Sequence, residues 1–247
     1  MLLIAKQFRN LMKKYNKASL LFIGLSITAS VLSCTSTDQK KAEANNKKGT
    51  DSLADYVDNR LKIYEKVKLT TNLNALTVSE RKVLPLLIEA AKIMDELFWK
   101  QAYPQRDSLL STIKDEKTKQ FVMINYGPWD RLNGDKPFVA GIGAKNLNGT
   151  FYPAGMTKEQ LEKSEVKDKF GLYSVIRTEQ DQLISVPYHV IYATELQRAS
   201  SLLKQAALLT DDAGFKKYLN LRADALVTDN YKASDLAWLD MKTNGLD

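Results

Sequence analysis

The chain has 247 residues and a formal net charge of +7. The excess is local: five basic residues and no acid fall within positions 1–33, and positions 35–50 carry four lysines against two acids, leaving 27 basic and 27 acidic residues from Asp51 onward. A neutral body offers no broad field to phosphate backbones, which excludes nucleic-acid binding, and the single Cys excludes an intrachain disulfide or a cysteine metal cluster.

Positions 1–33 read as an export signal. A basic segment (Lys6, Arg9, Lys13, Lys14, Lys17) precedes the apolar run SLLFIGLSITASVL, which at 14 residues is short for a membrane span. The run ends in Val31-Leu32-Ser33-Cys34, which resembles the lipobox of bacterial lipoproteins, with Leu one place nearer the Cys than usual. The resemblance implies an acylated Cys34 and a chain exported and lipid-anchored to the cell envelope, on the periplasmic side or the cell surface. An ordinary signal or an uncleaved anchor, with Cys34 incidental, is the other reading. Positions 34–50 are polar and without apolar period, as a flexible tether is.

From Asp51 the pattern is mostly helical. Leu53, Val57, Leu61 and Tyr64 predict a helix over 51–68. Thr77-Val78-Ser79-Glu80 is a capping box; the wide apolar stripe behind it, from Val83 to Phe98, predicts a helix buried against two neighbours and bent near Pro85. A further helix is predicted over 105–117. Ile124–Phe138, INYGPWDRLNGDKPF, cannot continue a helix, and the chain stays irregular to Pro153. Thr157–Gln160 is a second capping box. FGLYSVIRT and QLISVPY, parted by Glu179-Gln180-Asp181, predict a hairpin. Helical spacing returns from Val186 to Leu209, then from Phe215 to Leu226, with another helix expected in YKASDLAWLDMK. The expected fold is α+β and predominantly α-helical: one lobe over 51–247 with a long irregular aromatic and Gly-rich loop and one small β-hairpin.

Few residues suggest catalysis. His189 is the sole imidazole, so any Ser–His or Cys–His arrangement must use it, yet no Gly-x-Ser-x-Gly turn exists and Cys34 lies in the tether. His189 is read as a helix-start residue with local hydrogen bonds. Gly141-Ile142-Gly143 lacks the third glycine of a dinucleotide fingerprint, where Asn146 stands. Asp130, Asp135, Glu195 and Asp240 form no pair on one apolar face. The loop is more telling. Tyr126, Trp129 and Phe138 bring rings into irregular backbone, and Arg131 brings a bidentate donor fork. The plainer alternative is that these rings plug the loop onto the core, with Asp130 and Arg131 pairing locally.

The segment NYGPWDRLNGDKPFVAGIGAKNLNGTFYPAGMTKEQLE resembles the N-terminal lobe of secreted bacterial zinc peptidases of the dipeptidyl-peptidase III family. ELFWKQAYPQRDSLL and YLNLRADALVTDNYKASDLAWLDMKTNGLD fit the same family, so the resemblance spans about Thr77 to Asp247. It implies two lobes closing on a peptide's free amino end, and a His-Glu-x-x-Gly-His helix with a further Glu that binds zinc. No His-Glu pair occurs in this chain. The expectation is therefore a substrate-gripping lobe with no cofactor of its own, inactive alone and cut short at its C-terminal end. Asn125, Tyr126, Trp129, Asp130 and Arg131 are expected as substrate-binding or loop-stabilising residues. The competing expectation is a stand-alone lipoprotein that binds a ligand or protein partner through the Tyr126–Arg131 loop.

Overall fold

A computed structural model describes residues 53–243, 245 and 246. The signal, the tether and Cys34 lie outside the described residues. The longest element is α2, Val78–Ala102, preceded by α1, Leu53–Leu61. The predicted capping box starts α2: Thr77 Oγ1 accepts the Glu80 N–H, and Glu80 in return accepts the Thr77 N–H. The helix runs continuously through Pro85, which lacks the N–H that would have bonded the Arg81 carbonyl.

Helix α2 has two working faces. Val83, Ala90, Ile93 and Leu97 meet α7 (Ala193–Leu209) and α8 (Ala213–Leu226) in a core completed by Leu196, Ala199, Leu203, Phe215 and Leu219. Ala199, Ala206 and Ala223 have no exposed surface, and their small side chains let the three helix backbones approach. Trp99 points the other way, into a second core with Val57 of α1, Leu109 of α3 (Arg106–Thr112), Phe121 and Val122 of α4 (Glu116–Asn125), and Phe138. The breadth of the stripe read from the sequence is thus two cores sharing one helix.

Several predicted boundaries change. The helix expected over 51–68 ends at Leu61. Beyond it no core waits: Val67 and Leu69 are exposed, while Tyr64 reaches the second core from a turn and sets its ring edge-on to Phe121. The helix expected over 105–117 is split in two, because Asp115 caps a new helix by accepting the Thr118 N–H at 2.7 Å. The run from Val186 is also divided. Pro187 ends a strand, α6 (Tyr188–Ile191) makes one turn, and α7 follows.

The predicted hairpin is present as β3 (Ser174–Glu179) and β4 (Gln182–Pro187), antiparallel, with Gln180 and Asp181 both at positive φ in the turn. The expectation of one hairpin needs correcting. A second, two-residue ladder joins β1 (Trp129–Asp130) to β2 (Lys136–Pro137) inside the loop, too short to show as alternation in the sequence. Between β2 and β3 lies α5, Lys158–Lys163, started by the Thr157–Gln160 box. The final helix is α9, Lys232–Asp240. His189 is a helix-start residue as read, but its bonds come from afar: Asp229 Oδ2 takes both its N–H and its Nδ1, at 3.2 and 2.8 Å. Asp229 stands in left-handed backbone, φ 58°, where a short Asp is among the few side chains tolerated. One carboxylate thereby ties the α8–α9 turn to the start of α6.

Candidate binding cleft and the loop that builds it

The loop is built from the end of α4 outward. Tyr126 caps that helix in left-handed backbone, φ 52° and ψ 41°, and the Gly127 N–H returns to the Val122 carbonyl at 3.1 Å. A left-handed tyrosine is costly, on the order of 1–2 kcal/mol, so other contacts must offset it. Its hydroxyl donates to Asp95 at 2.6 Å, its ring meets Phe98 edge-on at 4.6 Å, and Trp99 lies 4.8 Å away. The Asp95 acceptor, together with burial, raises the phenol above its ordinary value. Asn125 fixes the same corner, donating to the Phe121 carbonyl and accepting the Arg131 N–H.

Asp130 is the anchor. Its side chain has no exposed surface. Oδ2 accepts Arg60 Nε at 2.5 Å and the Tyr56 hydroxyl at 2.9 Å, while Oδ1 accepts Arg60 Nη2 and the Leu132 N–H. Burial pushes the carboxyl up, but the guanidinium fork and the tyrosine hydroxyl outweigh it and hold Asp130 below the ordinary carboxylate value. Asn133 donates to Tyr56, and the Asp130 carbonyl accepts the Asn133 and Asp135 N–H groups. The local Asp130–Arg131 pair offered by the sequence does not form. Arg131 is exposed, and the arginine that matters, Arg60, lies seventy positions upstream on α1.

Successive strand residues point to opposite sides, so burying Asp130 against α1 turns Trp129 the other way. Trp129 Nε1 donates to the Gly143 carbonyl at 2.9 Å, and its ring stands edge-on to Tyr103 at 5.4 Å. It forms one wall of an open cleft of about 440 Å³ at the C-terminal end of α2. Phe98, Gln101, Tyr103, Lys145 and Phe151 are further lining residues. Of the five residues expected from the sequence, Trp129 alone is among those lining this cleft. Asn125, Tyr126 and Asp130 hold the loop beneath it, and Arg131 lies off it. Phe98 and Tyr103 were missed because helical periodicity assigns such residues to a core. Lys145 and Phe151 sit in a stretch without period, and no local signal marked them.

Among the described residues no three His, Cys, Asp or Glu side chains converge to hold a metal. A single imidazole, His189, cannot supply the two-His set of such a zinc site.

The described residues thus form a mainly helical α+β lobe with an aromatic cleft. That lobe is dipeptidyl-peptidase III-like. It is similar to a dipeptidyl-peptidase III from Caldithrix abyssi, with TM-score 0.70 and 33% identity over 76% of this chain and 38% of that one. It is equally similar in shape to dipeptidyl-peptidase III from Corallococcus sp. strain EGB, with TM-score 0.70 and 30% identity over 76% of this chain and 37% of that one. Among curated proteins, Nudix hydrolase 3 of Arabidopsis thaliana is 26% identical over 74% of this chain and 32% of its own length. No family model matches. The chain spans about a third of the length of the relatives it matches.

Replacing Arg60 by Met leaves the Asp130 carboxylate buried without its cation, a change that costs about 3–5 kcal/mol. Denaturant unfolding at neutral pH should show that loss. Because the folded carboxyl lies below its unfolded value near pH 3.9, the contribution is present above about pH 4 and fades as pH falls through the folded value. The wild-type chain should therefore lose stability in acid, and Arg60→Met should lose less there. Equal stability of the two proteins at pH 7 would refute the anchoring role.

Proposed function

We propose that this chain is the substrate-gripping lobe of an envelope-anchored, zinc-dependent exopeptidase that closes on the free amino end of peptides. The observation that carries the reading is the likeness to two dipeptidyl-peptidase III structures over three quarters of this chain. The cleft supports it: rings on a preorganised loop, with amide side chains at the rim, suit an extended peptide. In such an enzyme zinc supplies the Lewis acid and activated water, and among the described residues no three His, Cys, Asp or Glu side chains converge to hold it. Its own residues do the binding. Trp129 presents a flat apolar wall, while Asn125, Tyr126 and Asp130 keep the loop from collapsing into the cleft.

Cys34 is proposed as the acylated residue that holds the lobe at the envelope, with positions 34–50 as the tether. The basic segment followed by an apolar run and the lipobox-like Val31–Cys34 support this. The other reading, a stand-alone lipoprotein that binds a partner through the same loop, differs in what else must be joined to it.

In a polypeptide of the relatives' length that carries the His-Glu-x-x-Gly-His segment, Trp129→Ala should raise KM about tenfold or more, as loss of a buried aromatic contact does, with zinc content unchanged. Unaltered KM would remove Trp129 from the cleft wall. The 247-residue chain by itself should bind peptide without cleaving it; tightly held zinc with dipeptide release would overturn the division of labour proposed here. Expressed in a bacterial host with radiolabelled palmitate, the chain should take up label, and Cys34→Ser should not. Equal labelling of both would disprove the anchor.

A further inference from the structure

The peptide-gripping reading leaves open what the cleft selects, and the following rests on that reading. We infer that the cleft is a subsite for one bulky apolar side chain, aromatic before aliphatic, with the adjoining peptide backbone read by the amides of Gln101 and Gln105. Three independent features carry this.

The walls are ring surfaces held in place before any ligand arrives. Phe98 is 50% exposed at the C-terminal end of α2, with its ring held edge-on to Tyr126. Trp129 is fixed by its bond to the Gly143 carbonyl and by Tyr103. Gly127 fixes it further. Its backbone, at φ +152°, favours glycine, and a Cβ there would meet the indole Cε3 at 3.2 Å, so a side chain at 127 would strain the backbone and shift the ring by a few tenths of an ångström. A prepositioned ring spares the ligand the ordering cost.

The polar groups at the rim suit amides rather than ions. The side chains of Gln101 and Gln105 line the cleft and make no hydrogen bond to any described residue. Each offers a donor and an acceptor, the complement of one peptide unit. The nearby α2 carbonyls are already occupied: Thr150 Oγ1 donates to the Gln101 carbonyl at 3.0 Å, and the Tyr103 N–H to that of Trp99 at 2.7 Å.

The charge balance disfavours a basic side chain. Lys145 is the sole ionised lining residue, paired with Asp135 at 2.9 Å, and no carboxylate lines the cleft. A Lys or Arg entering would lose water without finding a carboxylate in the lining. The volume, about 440 Å³, lies near the lower end for small-ligand sites, roughly 300–1,000 Å³. It holds one large side chain and its neighbouring backbone.

The test titrates the 247-residue chain with the tripeptide amides Gly-Xaa-Gly-amide, whose amino end is free, with Xaa as Phe, Leu, Ala or Lys, and with acetyl-Phe-amide, following binding by ligand-observed NMR. Phe should bind about tenfold more tightly than Ala or Lys, with Leu between. Trp129→Ala and Gly127→Ala should flatten that order, while Gln101→Ala/Gln105→Ala, at surface positions, should weaken all four tripeptides by a similar factor and keep the order. Far-UV circular dichroism checks that each variant is folded. Lys binding as tightly as Phe, or the Phe preference surviving in folded Trp129→Ala, would sink the subsite and leave the peptide-gripping lobe standing. Acetyl-Phe-amide binding through Trp129 with no gain from the tripeptides would keep the aromatic pocket but overturn the backbone reading and the peptide lobe. No binding of any of the five ligands at millimolar concentration would overturn both.

Discussion

A carboxylate with no exposed surface stays charged only if a cation meets it, and in this lobe the cation comes from a separate helix. The Arg60 fork on Asp130, with the Tyr56 hydroxyl alongside, ties α1 to the loop after α4. What depends on it is direction. With Asp130 drawn inward, Trp129 must face outward, and the cleft acquires its wall. Short bonds around the turn, from Asn133 and Asp135 to the Asp130 carbonyl and from Phe138 to the Pro128 carbonyl, then close the loop on itself. An ion pair of this kind adds little net stability over an apolar pair of similar shape. Its use is to specify one arrangement of a segment that has no regular structure of its own.

The second constraint is α2. One helix serves two cores, with Val83, Ala90, Ile93 and Leu97 on one side and Trp99 on the other. At its C-terminal end the two packings diverge, and Phe98 and Gln101 are left at the opening. The left-handed Tyr126 belongs to the same corner. Its strain is offset by Asp95, Phe98 and Trp99, all from α2, so the helix that divides the cores also holds the loop against the cleft.

This arrangement has a chemical meaning beside the dipeptidyl-peptidase III structures. The lobe brings rings, amides and one lysine to its cleft. Such a surface fits the peptide-gripping role proposed above.

Much of this lobe could be read without coordinates. Both capping boxes, the 174–187 hairpin and the helices around Leu203 and Leu219 follow local rules: a Thr three residues before Glu or Gln, alternation, and a 3.6-residue period. The residues of the loop also pointed to the dipeptidyl-peptidase III structures that the fold resembles, because turn-forming glycines and rings in fixed order are rarer than helical stripes. Other features had no local trace. Asp115 looks like any charged residue until α4 forms behind it, and the β1–β2 ladder is two residues long. The roles inside the loop were decided only by tertiary structure. Sequence proximity offered Arg131 to Asp130, whereas the chain supplied Arg60 and Tyr56 from seventy positions away. Which ring faces a cleft and which plugs a core depends on where α2 passes, and periodicity records that a residue is apolar, not which of two neighbours it meets. The sequence by itself determined the elements and their order, since those obey short-range rules. The cleft was decided by the fold, because it exists only where α2, the Trp129 loop and residues 145–151 come together.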